Sequence, residues 1–296
     1  MVMKKADLIL GADFHLRETV PVCRSEEEFL PAQWEKVKFV KALQEEHDCP
    51  VLHAGDLFHH WKPSPHLLSS TIAALPAQFW TIYGQHDLPQ HNFEERHRSG
   101  IYTLEQAGAL KVLNDHDYTE NPLLGIEGTS WGKTPYLTEC DILVWHKMVW
   151  QGKRLWPEQT DPSAMALLKK YKDYDLIITG DNHKPFTEEL DGKLLVNPGS
   201  LMRQSADQID HLPRVYLYYA SDNTVTACYL PISSGVVSRE HISKNEERSE
   251  RIDAFISKLD GEWQAGMSFE ANLEEFFKTN RVRDSVKAII YKAIEP

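Results

Sequence analysis

The sequence predicts an α/β fold, because short apolar patterns typical of strands alternate with the wider apolar spacing of helices. Five strand patterns run directly into turns that carry polar residues, and they read ADLILGADFH, CPVLHAGD, QFWTIYGQHD, CDILVWH and YDLIITGDNH. Polar residues that follow several strands of one sheet lie together at its edge. The pattern therefore predicts a site built at one edge of a sheet from loops that are distant in sequence.

The composition is that of a globular protein. Its 296 residues are 42% hydrophobic and 26% charged, which excludes an intrinsically disordered chain. No apolar run approaches the ~20 residues of a membrane span, and the start MVMKKADLIL leads into a strand rather than a signal-peptide cleavage site. We therefore expect a soluble protein of the cytoplasm. Its four cysteines form no CxxC pair, so neither a zinc ribbon nor a disulfide framework is predicted.

The net charge of −12 is unfavourable for a nucleic-acid partner. Asp and Glu number 44 against 32 Lys and Arg, whereas proteins that bind by neutralising phosphates usually carry a basic surface. Bound divalent cations or a basic partner subunit would supply positive charge that this count omits. The charge alone therefore does not exclude nucleic acid.

The elements between and after these strands define a first domain. A helix is expected over residues 31–47, where Trp34, Val37, Val40 and either Ala42 or Leu43 form one apolar stripe. After residue 190, LLVNPGSL and PRVYLYYASDNTVTACYLPI predict strands, the second forming a hairpin around Ser221-Asp222-Asn223. We expect the first domain to comprise residues 1–232.

Residues 233–296 predict a small helical appendage. Ser243 and Glu246 have the spacing of a capping box, and Gly261 is a plausible stop. Three apolar stripes follow helical spacing: Ile252, Phe255, Ile256 and Leu259; Phe269, Leu273, Phe276 and Phe277; and Val282, Val286, Ile289 and Ala293. The appendage either packs on the first domain as a cap or offers a docking segment to a partner.

Residues of metal-ligating type stand directly after the predicted strands. The groups are Asp13-Phe14-His15, Gly55-Asp56, Gly84-Gln85-His86-Asp87, His146 and Gly180-Asp181-Asn182-His183. One such group usually marks a solvated turn, but five in order along one chain predict a common site. Carboxylates and imidazoles without thiolates suit Mn²⁺, and also Fe, Zn²⁺ or Mg²⁺. Two such ions can bridge a water and stabilise an in-line attack on phosphorus, so the pattern indicates phosphoester hydrolysis.

In this order the motifs resemble those of the calcineurin-like metallophosphoesterase superfamily. The resemblance covers residues 13 to about 200 and includes Asn197-Pro198-Gly199-Ser200. The run Gly55-Asp56-Leu57-Phe58-His59, followed by Pro63-Ser64, is similar to that of SbcD-type DNA repair exonucleases of bacteria or phages. The second Asp and the Arg that protein phosphatases carry after this motif are absent, so a phosphoprotein substrate is not expected. The resemblance implies a sandwich of two mixed β-sheets flanked by helices, followed by the small helical appendage.

Carried over by position, the resemblance implies two metal sites. The first would be formed by Asp13, His15, Asp56 and His183. The second would share Asp56 as a bridge and would add Gln85, His146 and Asp181. The implied cofactor is a pair of divalent ions, with Mn²⁺ preferred.

The resemblance also implies roles for two histidines that do not bind metal. His86 would contact the scissile phosphate or protonate the leaving group, and His59 matches a family histidine used in duplex processing. The alternative for His59 and His60 is that both are surface histidines. His53 is expected in a strand near the core, and Asp87 is expected to orient its loop rather than to bind metal.

Two residues of the second site depart from the family pattern. Gln85 replaces the usual Asn, and Asp181 replaces the usual first His of the GHxH motif. Gln keeps an amide oxygen and Asp can ligate, so the site becomes richer in oxygen, which favours Mn²⁺ or Mg²⁺ over Zn²⁺. The alternative is that Asp181 points away and the second ion is absent.

Three functions stay open at this point. The chain is a Mn²⁺-dependent DNA exo- or endonuclease that works with an SbcC-type ATPase, a phosphodiesterase for nucleotides or other small phosphoesters, or a non-catalytic scaffold. A scaffold is disfavoured because a degenerating site would lose ligands rather than exchange them. An open channel beside the metals favours the nuclease, and a closed pocket favours the small-ester enzyme. The resemblance also implies a homodimer through the early helices, for which residues 17–47 could serve.

Overall fold

A computed structural model describes residues 4–24, 26–113, 125–136, 140–154, 156–240, 242, 248–253 and 269–294. The chain divides into two compact units, Met1–Ser238 and Arg239–Pro296. Across the described ranges, no helix has both the length and the apolar character needed to cross a bilayer.

The described part of the first unit combines strands with α-helices. The strands are β1 (Leu8–Gly11), β2 (Val51–His53), β3 (Phe79–Thr81), β4 (Lys111–Val112), β5 (Ile126–Thr129), β6 (Ile142–Trp145), β7 (Leu176–Thr179), β8 (Phe186–Leu190), β9 (Lys193–Asn197), β10 (Arg214–Tyr219) and β11 (Thr224–Tyr229). The helices are α1 (Glu26–His47), α2 (Pro65–Ala74), α3 (Gly100–Gln106) and α4 (Ala164–Lys170).

The strands form two mixed sheets. The first has the order β11-β10-β1-β2-β3-β4, in which β1 to β4 are parallel and β10 runs antiparallel to both β1 and β11. The second has the order β5-β6-β7-β9-β8, with only β8 antiparallel. The predicted α/β class and the implied pair of mixed sheets are both confirmed.

Three hydrophobic layers hold the sheets and helices together. Between the sheets, Leu10 and Leu52 of the first belong to one buried cluster with Val144 and Ile178 of the second. On the outer face of the first sheet, residues of β1 to β3 pack with α1, α2 and α3. On the outer face of the second sheet, residues of β6, β7 and β9 pack with α4. The first unit is therefore a sandwich with helices on both outer faces.

The predicted elements are present with shifted bounds. Helix α1 buries Val37 and Val40 as the stripe predicts, but it begins at Glu26 and includes Pro31. Proline favours the first turn of a helix, yet complete burial of Phe29 against the core extends the helix in the N-terminal direction. The predicted late hairpin is confirmed, since Tyr219 pairs with Thr224 across its turn.

The second unit contains α5 (Phe269–Thr279) and α6 (Asp284–Ile294) among its described residues. Leu273, Phe276 and Phe277 are buried as predicted and pack with Val282 and Ile290, whereas Phe269, the first residue of the predicted stripe, is exposed at the start of the helix. The predicted stripe of α6 is wrong, because Val286 and Ile289 are exposed. Helix α6 begins after Val282, so a stripe counted from that residue is out of phase with the helix.

Part of the predicted appendage cannot be compared. Residues 248–253 are helical. The capping box of Ser243 and Glu246, the apolar residues Phe255, Ile256 and Leu259, and the stop at Gly261 lie outside the described residues.

Candidate metal centre

The parallel strands of both sheets end at the same edge of the sandwich, and the loops that follow carry the predicted ligands. Asp13 comes two residues after β1, and Asp56 comes three residues after β2. His146 directly follows β6, and Asp181 follows β7. Backbone hydrogen bonds join neighbouring loops, since Asp13 N donates to Gly55 O at 3.1 Å and His15 N donates to Asp56 O at 2.9 Å. These side chains therefore converge, although they are distant in sequence.

Four predicted ligands of the first ion surround one point. His15 Nε2 lies 3.1 Å from His183 Nε2, 3.8 Å from Asp13 Oδ1 and 3.6 Å from Asp56 Oδ2. His183 Nε2 lies 4.0 Å from Asp13 Oδ1. Donor atoms about 2.0–2.2 Å from a common cation stand about 3–4 Å from one another, so these spacings fit a single bound ion.

The predicted second site adjoins the first through Asp56. His146 Nε2 lies 3.5 Å from Asp56 Oδ2 and 2.6 Å from Gln85 Oε1. The other end of the Gln85 amide donates to Asp181 Oδ1 at 2.6 Å. The Asp181 carboxylate therefore contacts the Gln85 amide. Asp181 belongs to none of the groups of donor atoms within 4.8 Å of one another among the described residues, so its role as a ligand stays a prediction.

Asp56 is the residue that both clusters share. Its Oδ1 accepts a hydrogen bond from the backbone N–H of His86 at 2.9 Å. Its Oδ2 is buried and has no hydrogen-bond partner in the described part of the chain, while imidazole nitrogens of His15 and His146 stand close on two sides. A buried carboxylate oxygen without a donor is costly, so its position fits a cation between the clusters.

The tautomer of His146 is set from behind the ring. Its Nδ1 lies 2.6 Å from the carbonyl oxygen of Ala54, which can only accept, so Nδ1 carries a proton and donates. Nε2 is left to face Asp56 and Gln85. A metal-binding histidine commonly has this arrangement, in which a carbonyl behind the ring orients the ligating nitrogen.

The electrostatics of the cluster favour a cation. Burial opposes charge on His146, but the carboxylates of Asp56, Asp13 and Asp181 outweigh it and raise the pKa of His146 to about 10. Burial and the nearby charges of Asp56 and Asp181 raise the pKa of Asp13 above its usual range. Three close carboxylates therefore attract positive charge, and a divalent ion would replace the proton of His146. Burial also lowers the pKa of His15 and of His183, which keeps both in the neutral form that binds metal.

The loops reach this geometry through unusual backbone conformations. Asp13, His15, Asp56 and Asp181 all have positive φ, at 52°, 46°, 58° and 76°. Such conformations cost on the order of 1–3 kcal/mol each for residues with a side chain, and they persist where the surrounding structure enforces them. Gly84 is required for a different reason, because a Cβ there would lie 2.1 Å from Asp56 Oδ1.

Two further residues fix the loops without facing the ions. Asp87 accepts backbone N–H bonds from Leu57, Phe58 and Gly84 at 3.0–3.2 Å, which fits the expectation that it orients its loop. Asn197 Nδ2 donates to the carbonyl oxygens of Asn182 and Lys184 at 2.5 and 2.8 Å. It thereby holds the two residues that flank His183.

Two predicted histidines that are not assigned as ligands lie next to the first cluster. His86 and His59 lie beside the first cluster, where their rings stack at 5.5 Å, and His86 lies 4.8 Å from the ring of His15. His15, His59 and His86 could themselves hold an ion, because one nitrogen of each lies within 4.8 Å of the others. His59 is half-buried, unlike the exposed His60, so the surface alternative does not describe it. His53 is fully buried in β2, as expected.

Sequence reasoning missed several contributors to this centre. Residue types alone do not predict three of them. These are the hydrogen bond to the Ala54 carbonyl oxygen, the close approach at Gly84, and the contact between Gln85 and Asp181. The Asn197 motif is visible in the sequence, but its two carbonyl partners depend on the packing of loops that are distant in sequence.

Comparisons with known proteins identify the family of the chain. The model of the calcineurin-like phosphoesterase superfamily domain matches residues 8–217. A protein of Archaeoglobus fulgidus named DNA double-strand break repair protein Mre11 is 27% identical over 214 residues, which are 60% of this chain and 46% of that protein. A protein of Haloferax volcanii with the same name is 28% identical over 183 residues, which are 56% of this chain and 38% of that protein. The chain thus spans less than half the length of the curated relatives it matches.

Solved structures align with this chain at low identity. One, described as a novel archaeal phosphodiesterase, aligns with a TM-score of 0.43 and 16% identity, covering 75% of this chain and 99% of its own. The family match itself extends from β1 into β10 and includes every loop that carries a predicted ligand. Because that match covers well over half of the 296 residues, the chain belongs to the calcineurin-like phosphoesterase superfamily.

Proposed function

We propose that the chain hydrolyses phosphodiester bonds in DNA with two divalent cations bound at the centre described above. The observation that carries the proposal is Asp56, whose buried Oδ2 lies 3.6 Å from His15 Nε2 and 3.5 Å from His146 Nε2 and has no hydrogen-bond partner in the described part of the chain. This position supports a carboxylate that bridges two ions. Family membership supports phosphoester chemistry, and the names of the two relatives support DNA as the substrate.

The donor set assigns the residues that would hold the ions. Asp13, His15, Asp56 and His183 would hold the first, and Asp56, Gln85, His146 and Asp181 would hold the second. When bound, two such ions would lower the pKa of a shared water and neutralise charge on the phosphate oxygens. Mn²⁺ is the preferred ion because the second site is rich in oxygen and contains no thiolate.

His86 is the residue we assign to the phosphate. Its backbone N–H donates to Asp56 Oδ1 at 2.9 Å, and its ring Nδ1 donates to the carbonyl oxygen of His59 at 3.0 Å. These two bonds fix the ring and leave Nε2 as the nitrogen available to a substrate. In the doubly protonated form of the ring, Nε2 can pass its proton to the leaving oxygen as the phosphodiester breaks, and the ring keeps the proton on Nδ1.

His59 is assigned a contact role beside His86. Burial and the nearby positive charges of Arg17 and His86 lower the pKa of His59 to about 4, so it is neutral near pH 7. A neutral imidazole is a poor proton donor but can still stack or form a hydrogen bond with a nucleic-acid strand. This supports a part in holding the strand rather than in proton transfer.

The assembly is a further part of the proposal. We infer a cytoplasmic protein that acts with an SbcC-type ATPase subunit, with the second unit as a cap or docking segment.

A groove of about 410 Å³ between α1 and α2 supports the early helices as a homodimer surface. It is lined by Trp34, Lys38, Lys41, Ser70, Ala73 and Ala74. Sedimentation equilibrium of the full chain, with and without Trp34→Asp, measures whether that surface pairs two copies.

A substrate panel tests the proposed reaction. The full chain is assayed with added Mn²⁺ on duplex DNA, single-stranded DNA and a chromogenic phosphodiester, and Asp56→Asn serves as the inactive control. We expect hydrolysis of DNA and of the chromogenic ester, with less than about a tenth of the rate left in Asp56→Asn. Turnover of the chromogenic ester without turnover of DNA would instead favour a phosphodiesterase for small esters.

A further inference from the structure

A cavity of about 630 Å³ opens directly beside the candidate metal centre. Its wall includes His146 and Asp181, so it is continuous with the predicted second site. The rest of the wall comes from the loop after β5, from the end of β6 and the residues after it, and from residues of α4 and its two flanks. Its volume lies in the range of pockets that take a small organic ligand, about 300–1,000 Å³, which is enough for one nucleotide.

The side chain of Trp131 lines this cavity, packs in part against the core on the outer face of the first sheet, and has its ring 5.6 Å from the ring of His91. The backbone N–H of Trp131 donates to the carbonyl oxygen of Tyr83 at 2.8 Å, and the indole N–H of Trp145 donates to the carbonyl oxygen of Lys133 at 3.2 Å. Trp131 is therefore held from both sides of its loop, while its own side chain is only partly buried. A partly exposed indole suits the stacking of a planar ring.

The cavity differs in charge from the molecule as a whole. Three lysines line it, namely Lys133, Lys147 and Lys170, against the carboxylates of Asp161 and Asp181. Lys147 Nζ lies 3.5 Å from Asp161, so part of its charge is already paired. In a chain with a net charge of −12, a wall that combines lysines with an indole is a local signature of nucleotide binding.

We propose that this cavity binds the nucleoside unit attached to the scissile phosphate, with its base stacked on Trp131 and the adjoining phosphate near Lys133 and Lys147. The inference rests on the proposed function and deepens it, because it names nucleoside phosphodiesters, rather than simple alkyl or aryl diesters, as the preferred substrates. The nucleoside comes either from a DNA strand or from a free nucleotide, and the shared chemistry is a base joined through a sugar to phosphate.

Paired substrates test the stacking contact. The Mn²⁺-loaded full chain is assayed on thymidine 5′-(p-nitrophenyl) phosphate and on methyl p-nitrophenyl phosphate, which lacks the nucleoside. Trp131→Ala is expected to raise KM about 10- to 100-fold for the thymidine ester only, with kcat little changed, and Trp131→Phe is expected to restore most of the loss. Trp156→Ala removes an exposed indole that does not line the cavity and serves as the matched control. An equal effect of Trp131→Ala on both esters, or no effect, would overturn the proposal.

A binding measurement separates this inference from the proposed reaction. Thymidine monophosphate is titrated into the chain by calorimetry in the presence of Mn²⁺, where no turnover is needed. Trp131→Ala is expected to weaken binding about tenfold or more, and Trp156→Ala is expected to leave it unchanged. If wild type binds the nucleotide through Trp131 but hydrolyses neither ester, the proposed function fails and the cavity stands. If it hydrolyses both esters with no dependence on Trp131, the proposed function stands and the binding of a nucleoside in the cavity is contradicted.

A lysine substitution distinguishes the two sources of the nucleoside. Lys147→Met is compared with Lys169→Met, which changes a lysine of α4 that does not line the cavity. For a DNA strand, Lys147→Met is expected to weaken binding of a single-stranded oligonucleotide and to lower its salt dependence by about one phosphate contact. For a free nucleotide, the loss is expected to be the same for thymidine monophosphate and the oligonucleotide. If Lys147→Met and Lys169→Met change the binding of both ligands equally, Lys147 does not contact the nucleotide.

Discussion

Asp181 illustrates what a single residue contributes at the centre. The superfamily pattern has a histidine here, and the aspartate meets Gln85, the other departure from the pattern, at 2.6 Å. The amide nitrogen of Gln85 donates to Asp181, and this directs the amide oxygen toward His146 at 2.6 Å. The two departures therefore form one unit in space, although they are 96 residues apart in the sequence. Residue types predicted that both can ligate, but the chain order could not predict that they touch.

Coupling between these two residues can be measured. Gln85→Asn and Asp181→His are each expected to lower the Mn²⁺ affinity of the second site about 10- to 100-fold, because either change removes the contact that orients the amide. The double variant restores the superfamily pair and is expected to bind at least as tightly as the weaker single variant. Calorimetric titration of all four proteins completes the cycle. If the fold-losses of Mn²⁺ affinity in the two single variants multiply in the double variant, the contact between Gln85 and Asp181 does not contribute to metal binding.

His86 carries the second residue-scale prediction. His86→Ala is expected to lower the rate of phosphodiester hydrolysis by ~10²–10⁴, the usual effect of losing an acid or base, without lowering metal content. Kinetics and metal analysis on the same preparation give both quantities, and the exposed His60 changed to Ala is the control. Loss of one equivalent of metal with His86 would instead assign it to the ligand group of His15, His59 and His86.

The loops after the strands are the elements that build the centre. Their positions follow from strand order, and the sequence predicted them because polar residues directly follow apolar β-rich runs. Their internal geometry was not predictable, since a positive φ at Asp13, His15 or Asp56 arises from the packing of neighbouring loops. The sequence does not predict the short strands β4 and β5, because segments of two and four residues that read KV and IEGT give too little periodicity to distinguish a strand from a loop.

The close approach at Gly84 yields a prediction for the loop after β3. Gly84→Ala is expected to displace Asp56, because the new methyl group would lie 2.1 Å from its Oδ1. Metal binding should fall by at least tenfold, while circular dichroism shows that the sandwich remains folded. Gly192→Ala is the control, since its φ is also positive at 77° but no atom lies within 4 Å of the added group. Gly192→Ala should lower the free energy of unfolding by about 1–2 kcal/mol and leave the affinity for metal unchanged.

Strand β2 contains a buried group that links stability to pH. Burial and the nearby charge of His146 lower the pKa of His53 to about 3, and its Nδ1 lies 2.9 Å from Thr81 Oγ1. An unfolded histidine titrates near pH 6.5, so the unfolded state binds more protons between about pH 6.5 and pH 3. The free energy of unfolding should therefore fall as the pH decreases through that window.

A glutamine variant isolates this contribution. His53→Gln is expected to flatten the pH dependence of the unfolding free energy below pH 6.5 by up to about 1.4 kcal/mol per pH unit. Urea denaturation of metal-free protein at several pH values measures the slope, with the exposed His66 changed to Gln as the control. A slope in His53→Gln equal to that of wild type would contradict the assignment.

For the whole molecule, two sheets supply the two halves of the centre. Asp13, Asp56 and Gln85 follow strands of the first sheet, whereas His146, Asp181 and His183 follow strands of the second. An ion bound between them therefore links the two sheets. The fold class could be predicted because strand and helix patterns alternate along the chain. The superfamily resemblance implied two mixed sheets, but the division of the strands between them was not predicted, because periodicity does not tell which strands pair.

Metal binding should consequently stabilise the whole first unit. Adding Mn²⁺ to about 100 times its dissociation constant is expected to raise the free energy of unfolding by about 2.7 kcal/mol, and a chelator should reverse the gain. Thermal unfolding with and without metal gives this difference. Asp56→Asn should show little or none of it, and a full gain in that variant would contradict a bridging role for Asp56.

The wide separation of the ligands has a consequence for the newly made chain. His15 and His183 come within 3.1 Å of each other but are 168 residues apart. Ribosomes add about 5–20 residues per second, so roughly ten seconds or more pass between the synthesis of these two ligands. During that interval no complete first site can form, and β1 also lacks β10, the strand that covers one of its edges in the finished sheet. The chain on the ribosome therefore cannot bind an ion at the first site before most of its first unit has been made.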